Sequence, residues 1–212
     1  MVSQPIYTKT KMYKHYPSLV FGFHACEREV FEALLSGEGG FKASLNDYDW
    51  LGNGMYFWEN SPHRAEKYGE ELSSRRKKLE VPVVVGAVIH LGHCFDLLES
   101  HSLQVLQNYY FSLKKTYLKA GLEMPINKDI GTNTDKLLRK LDCAVFEYMH
   151  SERRKNGEKP FDSIRAAFWE GKALYPSAGF KEKNHIQICI RNPNCIKGYF
   201  RPLKMDTRYP RV

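Results

Sequence analysis

The chain has 212 residues, 42% hydrophobic and 13% aromatic, which suffices to bury one substantial core and gives no sign of a second. Its formal net charge of +8 favours an acidic partner such as nucleic acid, although such charge also serves solubility alone. The N-terminus lacks the apolar core of a signal peptide and the longest apolar run, Val81 to Leu91, is too short for a bilayer, so neither export nor a membrane partner is expected and the protein reads as cytoplasmic.

The first element is a buried apolar strand, Leu19-Val-Phe-Gly-Phe-His-Ala25, which delivers a single histidine, His24, at its end. From Glu27 to Ser36, Val30, Phe31, Leu34 and Leu35 share one helical face, and Gly37, Gly39 and Gly40 end that helix. Gly52-Asn-Gly-Met-Tyr-Phe57 reads as a glycine turn feeding a short strand that carries Tyr56. Ser61-Pro62 starts a second helix, with serine at the cap and proline at the first helical position, and Ala65, Tyr68 and Leu72 continue one face. Arg75-Arg-Lys-Lys78 follows as a solvated basic linker into a long strand over 81–91.

The middle of the chain, about residues 99–155, reads as a helical insert in a smaller core. Leu103, Leu106, Tyr110, Leu113 and Tyr117 fall at helical spacing, and Leu137, Leu138, Leu141, Val145 and Tyr148 repeat the pattern after a break from Gly121 to Thr134, so two long helices are expected. Phe161 to Phe168 returns to strand, a glycine-containing loop follows from Glu170, and paired strands near 185–191 and 196–202 close the chain. The whole, residues 1–212, reads as a single α+β domain.

Several chemistries find no support. The five cysteines are scattered, without a Cys-x-x-Cys pair, and fit a reducing compartment. His90-Leu-Gly-His93-Cys94 has ligand-type side chains but no fourth ligand nearby, so no metal site is expected. Neither a Gly-x-Ser-x-Gly elbow nor a phosphate-binding Gly-x-x-x-x-Gly-Lys loop occurs.

The order strand-His24, helix, Gly-x-Gly-x-Tyr56-Phe, serine-capped helix with Tyr68, long strand, and late strand Ile186-Gln-Ile-Cys-Ile190 resembles the His-Tyr-Glu class of ADP-ribosyltransferases. That class contains the poly(ADP-ribose) polymerases, and the chain is similar within it to bacterial mono-ADP-ribosyltransferase toxins. The resemblance implies an ADP-ribosyltransferase-like split β-sheet core with flanking helices, and NAD+ as substrate without a metal. It gives His24 the adenosine ribose, the backbone of Ala25 the carboxamide and Tyr56 the nicotinamide, with Gly54 a further NAD+-binding position. Tyr68, 12 residues after Tyr56, becomes the opposite face of a nicotinamide sandwich, and Ser61 a second contact to the carboxamide. At the third position Gln187 stands where the polymerases carry glutamate. Glutamine still accepts a hydrogen bond and can hold the ribose, but it supplies no charge for chain elongation, so transfer of a single ADP-ribose is expected.

The loop before Gln187 occupies the position where relatives recognise the acceptor. There Tyr175 and Phe180 are expected to stack on a base, with Lys181 and Lys183 near phosphate. Three readings stay open: modification of RNA or single-stranded DNA, slightly favoured; the same chemistry on a protein side chain; and a non-catalytic NAD-binding module. The toxin resemblance adds a role in toxin-antitoxin or antiviral defence systems, with an antitoxin or other neutralising partner.

Overall fold

The computed structural model describes residues 19–75, 82–131 and 133–210, and among them the chain forms one seven-stranded sheet, one two-stranded hairpin and four α-helices. The strands are β1 (Val20–Cys26), β2 (Met55–Glu59), β3 (Val83–Ile89), β4 (Cys94–Asp96), β5 (Asn127–Ile130), β6 (Asn133–Arg139), β7 (Ser163–Phe168), β8 (His185–Ile190) and β9 (Ile196–Phe200). The helices are α1 (Arg28–Ser36), α2 (Pro62–Arg75), α3 (Ser100–Lys119) and α4 (Lys140–Lys155). Across the large sheet the order is β4-β7-β8-β2-β1-β3-β9, antiparallel throughout except for β4 on β7. The class is therefore α+β.

The centre of the sheet parts. β1 and β2 share two residue pairs, Gly22↔Glu59 and Phe23↔Trp58. Beyond them β1 continues on β3 through His24↔Val85 and Cys26↔Val83, while β2 continues on β8 through Phe57↔Ile188 and Met55↔Ile190. Gly22 lies where the halves join. A Cβ there would come within 2.6 Å of Ile89 Cδ1 and 2.8 Å of Phe57 Cβ, so the close approach requires glycine.

Strand alternation sorts the core onto two faces. Met55, Phe57, Ile188 and Ile190 pack with Ala87 and Ile89 on one side. Cys189, Ile164, Ala166 and Phe168 meet Phe146 and Met149 of α4 on the other. α1 buries Phe31 and Leu34 against Val85 and stops at Gly37, whose φ of 78° is the left-handed turn that glycine tolerates best. α2 buries Ala65 beside Phe23 and Trp58. Gly69 lets α2 lie close to the sheet, since a Cβ there would be 2.7 Å from Pro82 and 3.1 Å from Ala25.

Three expectations change. The break between the two helices of the insert contains the β5–β6 hairpin, and Leu137 and Leu138 lie on β6 rather than on α4. Gly131, at φ 59°, allows the chain to reverse, and the carbonyl of Leu137 accepts from Trp50 Nε1 at 3.0 Å, a partner outside any helix. On α3, Leu103 is half exposed, while Val105 and Tyr109 join Leu106 against the core. The last two strands do not pair with each other: β8 lies between β7 and β2, and β9 forms the far edge beside β3. The connection is held across the end of the sheet, with Asn192 N donating to Asp162 O and His90 N to Cys195 O. Arg76 to Lys78 of the basic linker, and Val81, lie outside the described residues.

Candidate functional site

His24 fills the gap between the parted strands. Its Nδ1 lies 2.8 Å from the carbonyl oxygen of Tyr56, and its ring meets Phe41 edge-on at 4.4 Å between centroids. A carbonyl only accepts, so Nδ1 carries the proton, and burial pushes the ring down to about 4. The imidazole is therefore neutral at pH 7, with a lone pair on Nε2. It lines both a cavity of about 690 Å3 and a smaller one of about 350 Å3 next to it.

Tyr56, Gly54, Tyr68 and Gln187 line the same larger cavity as His24. The Tyr56 hydroxyl is committed locally: it donates to Gly52 O at 2.5 Å and accepts from Leu51 N at 2.9 Å, closing the glycine turn. Burial raises it far above the ordinary phenol range, so it stays protonated. Gly54 exchanges backbone bonds with Ser44 in both directions, and a Cβ at Gly54 would strike Cys189 Sγ. The turn is braced from the insert: Glu147 on α4 accepts from Asn53 N at 2.8 Å and pairs with Arg191, whose NH1 donates to Asn53 O at 2.8 Å. Gln187 offers a buried Oε1 that no described donor reaches.

The remaining expected contacts divide. Tyr68 packs on Trp58 with centroids 4.9 Å apart. Ala25 is buried and lines the smaller cavity, whereas Ser61 lines neither and sits at the start of α2, its carbonyl accepting from Ala65 N. On the loop between β7 and β8, Tyr175 is 58% and Phe180 61% exposed. Lys181 and Lys183 each pair with a carboxylate, Lys181 Nζ 2.7 Å from Asp135 and Lys183 Nζ 2.6 Å from Glu71, and Lys183 also lines the larger cavity.

In the cavity, and directly behind it in the case of His185, stand groups that the motif order did not indicate. On α2, Arg64, Tyr68, Glu71 and Leu72 all face it, a spacing of 0, 4, 7 and 8 that marks one helical stripe. Arg64 is 8% exposed, its guanidinium carbon 5.4 Å from the Trp58 ring centre, and its Nε and NH1 have no hydrogen-bond partner among the described residues. Glu170, 7% exposed, begins the loop after β7. His185 is two residues before Gln187 on β8 and so shares its face. The stripe on α2 and the alternation on β8 were the available signals for Arg64 and His185. Glu170, at the mouth of a loop, had none.

Among the described residues three histidines are held neutral, His24 and His185 at about 4 and His150 at about 3, mainly by burial. An unfolded histidine titrates near about 6.5. Between that value and the folded ones the unfolded chain binds protons that the folded chain does not, so stability is complete above about pH 6.5 and falls as the pH drops. His150 on α4 is fully buried, with neither ring nitrogen partnered among the described residues. His150→Phe should make the acid limb shallower in urea midpoints taken from pH 7.5 to 4.5. An unchanged slope would show that His150 does not contribute to it.

No protein-family model and no solved structure matches the chain. The uncharacterized protein MJ0359 of Methanocaldococcus jannaschii is 24% identical over 194 residues, spanning 82% of this chain and 83% of its own length. That likeness brings no activity with it. No helix among the described residues is long and apolar enough to cross a membrane.

Proposed function

We propose that the chain is a mono-ADP-ribosyltransferase that moves ADP-ribose from NAD+ to a macromolecular acceptor. The observation that carries this reading is convergence: His24, Tyr56, Tyr68 and Gln187, picked out by their order along the chain, line one cavity of about 690 Å3. That volume falls within the range of small-molecule sites. A neutral His24 can accept from a ribose hydroxyl, Tyr56 and Tyr68 offer aromatic faces to a nicotinamide, and the unpartnered Gln187 Oε1 can accept from the second ribose. In this reading the parted sheet is the split sheet of the His-Tyr-Glu class, and the helices and hairpin between β4 and β7 are an insert in it. Nucleic acid remains the favoured acceptor on the net charge and the exposed aromatics Tyr175 and Phe180, with Lys181 and Lys183 paired to Asp135 and Glu71 beside them.

The test is incubation with radiolabelled NAD+ and a cell extract, divided between nuclease and protease digestion. Label released by nuclease supports a nucleic-acid acceptor; label released by protease alone moves the activity to a protein side chain. Gln187→Ala should lower transfer at least ~10-fold while sparing NAD+ binding, and Gln187→Glu should remain active because it keeps an acceptor there and adds charge near a developing cation. An inert Glu variant beside a fully active Ala variant would rule out this role for Gln187.

A further inference from the structure

Among the described residues four carboxylates line the cavity, and three of them are satisfied. Asp49 accepts from Asn46 N at 3.0 Å, Glu71 pairs with Lys183, and Asp135 holds Lys181 and the backbone of Gly171. Glu170 differs. No described donor reaches its carboxylate within hydrogen-bond distance; Arg64 NH2 stands off at 3.8 Å, and His185 Nε2 lies 3.5 Å from Oε1.

The backbone around Glu170 is nonetheless fixed. Its carbonyl accepts from Lys183 N at 3.0 Å, and the next residue, Gly171 at φ 84°, donates to Asp135 at 2.8 Å. The ring of His185 is fixed as well, with Nδ1 2.7 Å from the carbonyl of Lys183. That carbonyl only accepts, so Nδ1 carries the proton and donates it, and the neutral ring turns a lone pair on Nε2 toward the carboxylate. Two acceptors face each other, and the pair is one proton short of a hydrogen bond.

We propose that Glu170 is the proton acceptor of the transfer step, with His185 as the positioning residue that receives the proton's hydrogen bond. The inference rests on the transferase reading above. The C1′–N bond of NAD+ breaks, its electron pair leaving with nicotinamide, and a lone pair of an acceptor N–H or O–H group forms the new bond to C1′. The displaced proton passes to Glu170, is shared with His185, and leaves to solvent. Gln187, which cannot take a proton at neutral pH, then holds the ribose while Glu170 activates the acceptor, dividing between two residues what a single carboxylate would do.

Among the described residues the charged or titratable groups facing Glu170 are Arg64 from α2, Asp135 and Arg139 from β6, Lys183 from its own loop and His185 from β8. Burial outweighs the cations and raises the carboxyl above its ordinary range. Wild-type transfer should therefore fall on acidification at a pH above that of a solvated carboxylate.

The full chain is assayed with labelled NAD+, a cell extract as source of acceptor, and NAD+ binding measured separately. Glu170→Gln, close to isosteric, should lower transfer at least ~10-fold, leave NAD+ affinity within a few-fold, and flatten the acid limb. Glu170→Asp, which withdraws the carboxylate by one methylene, should also lose transfer. His185→Leu should move the acid limb to lower pH, and His185→Gln, which restores an acceptor, should bring it back. Full transfer with an unshifted pH profile in folded Glu170→Gln or Glu170→Asp overturns the proposal while leaving the transferase reading intact. A wild-type chain that neither binds nor cleaves NAD+ overturns both.

Discussion

Replacing Arg165 by alanine should destabilise the fold by about 3–5 kcal/mol, the range for removing one member of a buried ionic group. Arg165 on β7 donates to both oxygens of Glu59 on β2, at 2.5 and 2.9 Å, and through NH1 to Asp96 on β4 at 3.0 Å. One guanidinium thus ties three strands of the sheet, and its two carboxylate partners raise it above its ordinary range. Without it, Asp96, 3% exposed, keeps a buried charge with no cation, and β2 loses its anchor one residue beyond Trp58. Urea unfolding at pH 7 reads the loss. A variant with Arg165→Met, Glu59→Gln and Asp96→Asn together should recover most of it, because the penalty lies in the unpaired charges rather than in the absence of an ion pair. A loss below about 1 kcal/mol for Arg165→Ala would mean that water compensates the carboxylates.

How far the sequence can be read depends on the range of the interaction. His24, Tyr56 and Tyr68 were legible because each follows from a local pattern: an apolar run ending in a polar residue, a glycine turn, a serine-proline helix start. Strand and helix periodicity also placed Phe31, Leu34 and Ala65 in the core. What failed was partnership at a distance. The carboxylate partners of Lys181 and Lys183 are invisible in the sequence because Asp135 and Glu71 lie 46 and 112 residues away in the chain. The strands β8 and β9 looked like a hairpin because they are close in sequence, yet three other strands separate them in the sheet. Leu137 and Leu138 fit a helical spacing, and it is the pairing of β6 with β5, the reversal at Gly131 and the bond from Trp50 that set them on a strand. Glu170 shows the limit most plainly: its isolation within the cavity is a property of what surrounds it, and no spacing along the chain encodes that.

The other large effect concerns the gap in the sheet. On the transferase reading, His24→Ala should lower NAD+ turnover about 10²-fold or more, because the ring both fills the space between the parted strands and presents Nε2 to the cavity. Tyr56→Ala should cost a similar factor, but for a different part of the residue. The Tyr56 hydroxyl is already spent on Leu51 N and Gly52 O, so its contribution to substrate is the ring face. Tyr56→Phe therefore separates the two roles: turnover should stay within a few-fold of wild type, while stability falls by about 1–3 kcal/mol as the buried Leu51 N–H loses its partner and Gly52 O is left with the weak thiol donor of Cys189. Nicotinamide release, followed alongside thermal unfolding of each variant, makes the distinction. If His24→Ala and Tyr56→Ala both fold and both release nicotinamide at the wild-type rate, NAD+ is not cleaved in this cavity; if Tyr56→Phe loses as much turnover as Tyr56→Ala, the hydroxyl, and with it the geometry of the glycine turn, matters more to the reaction than the aromatic face.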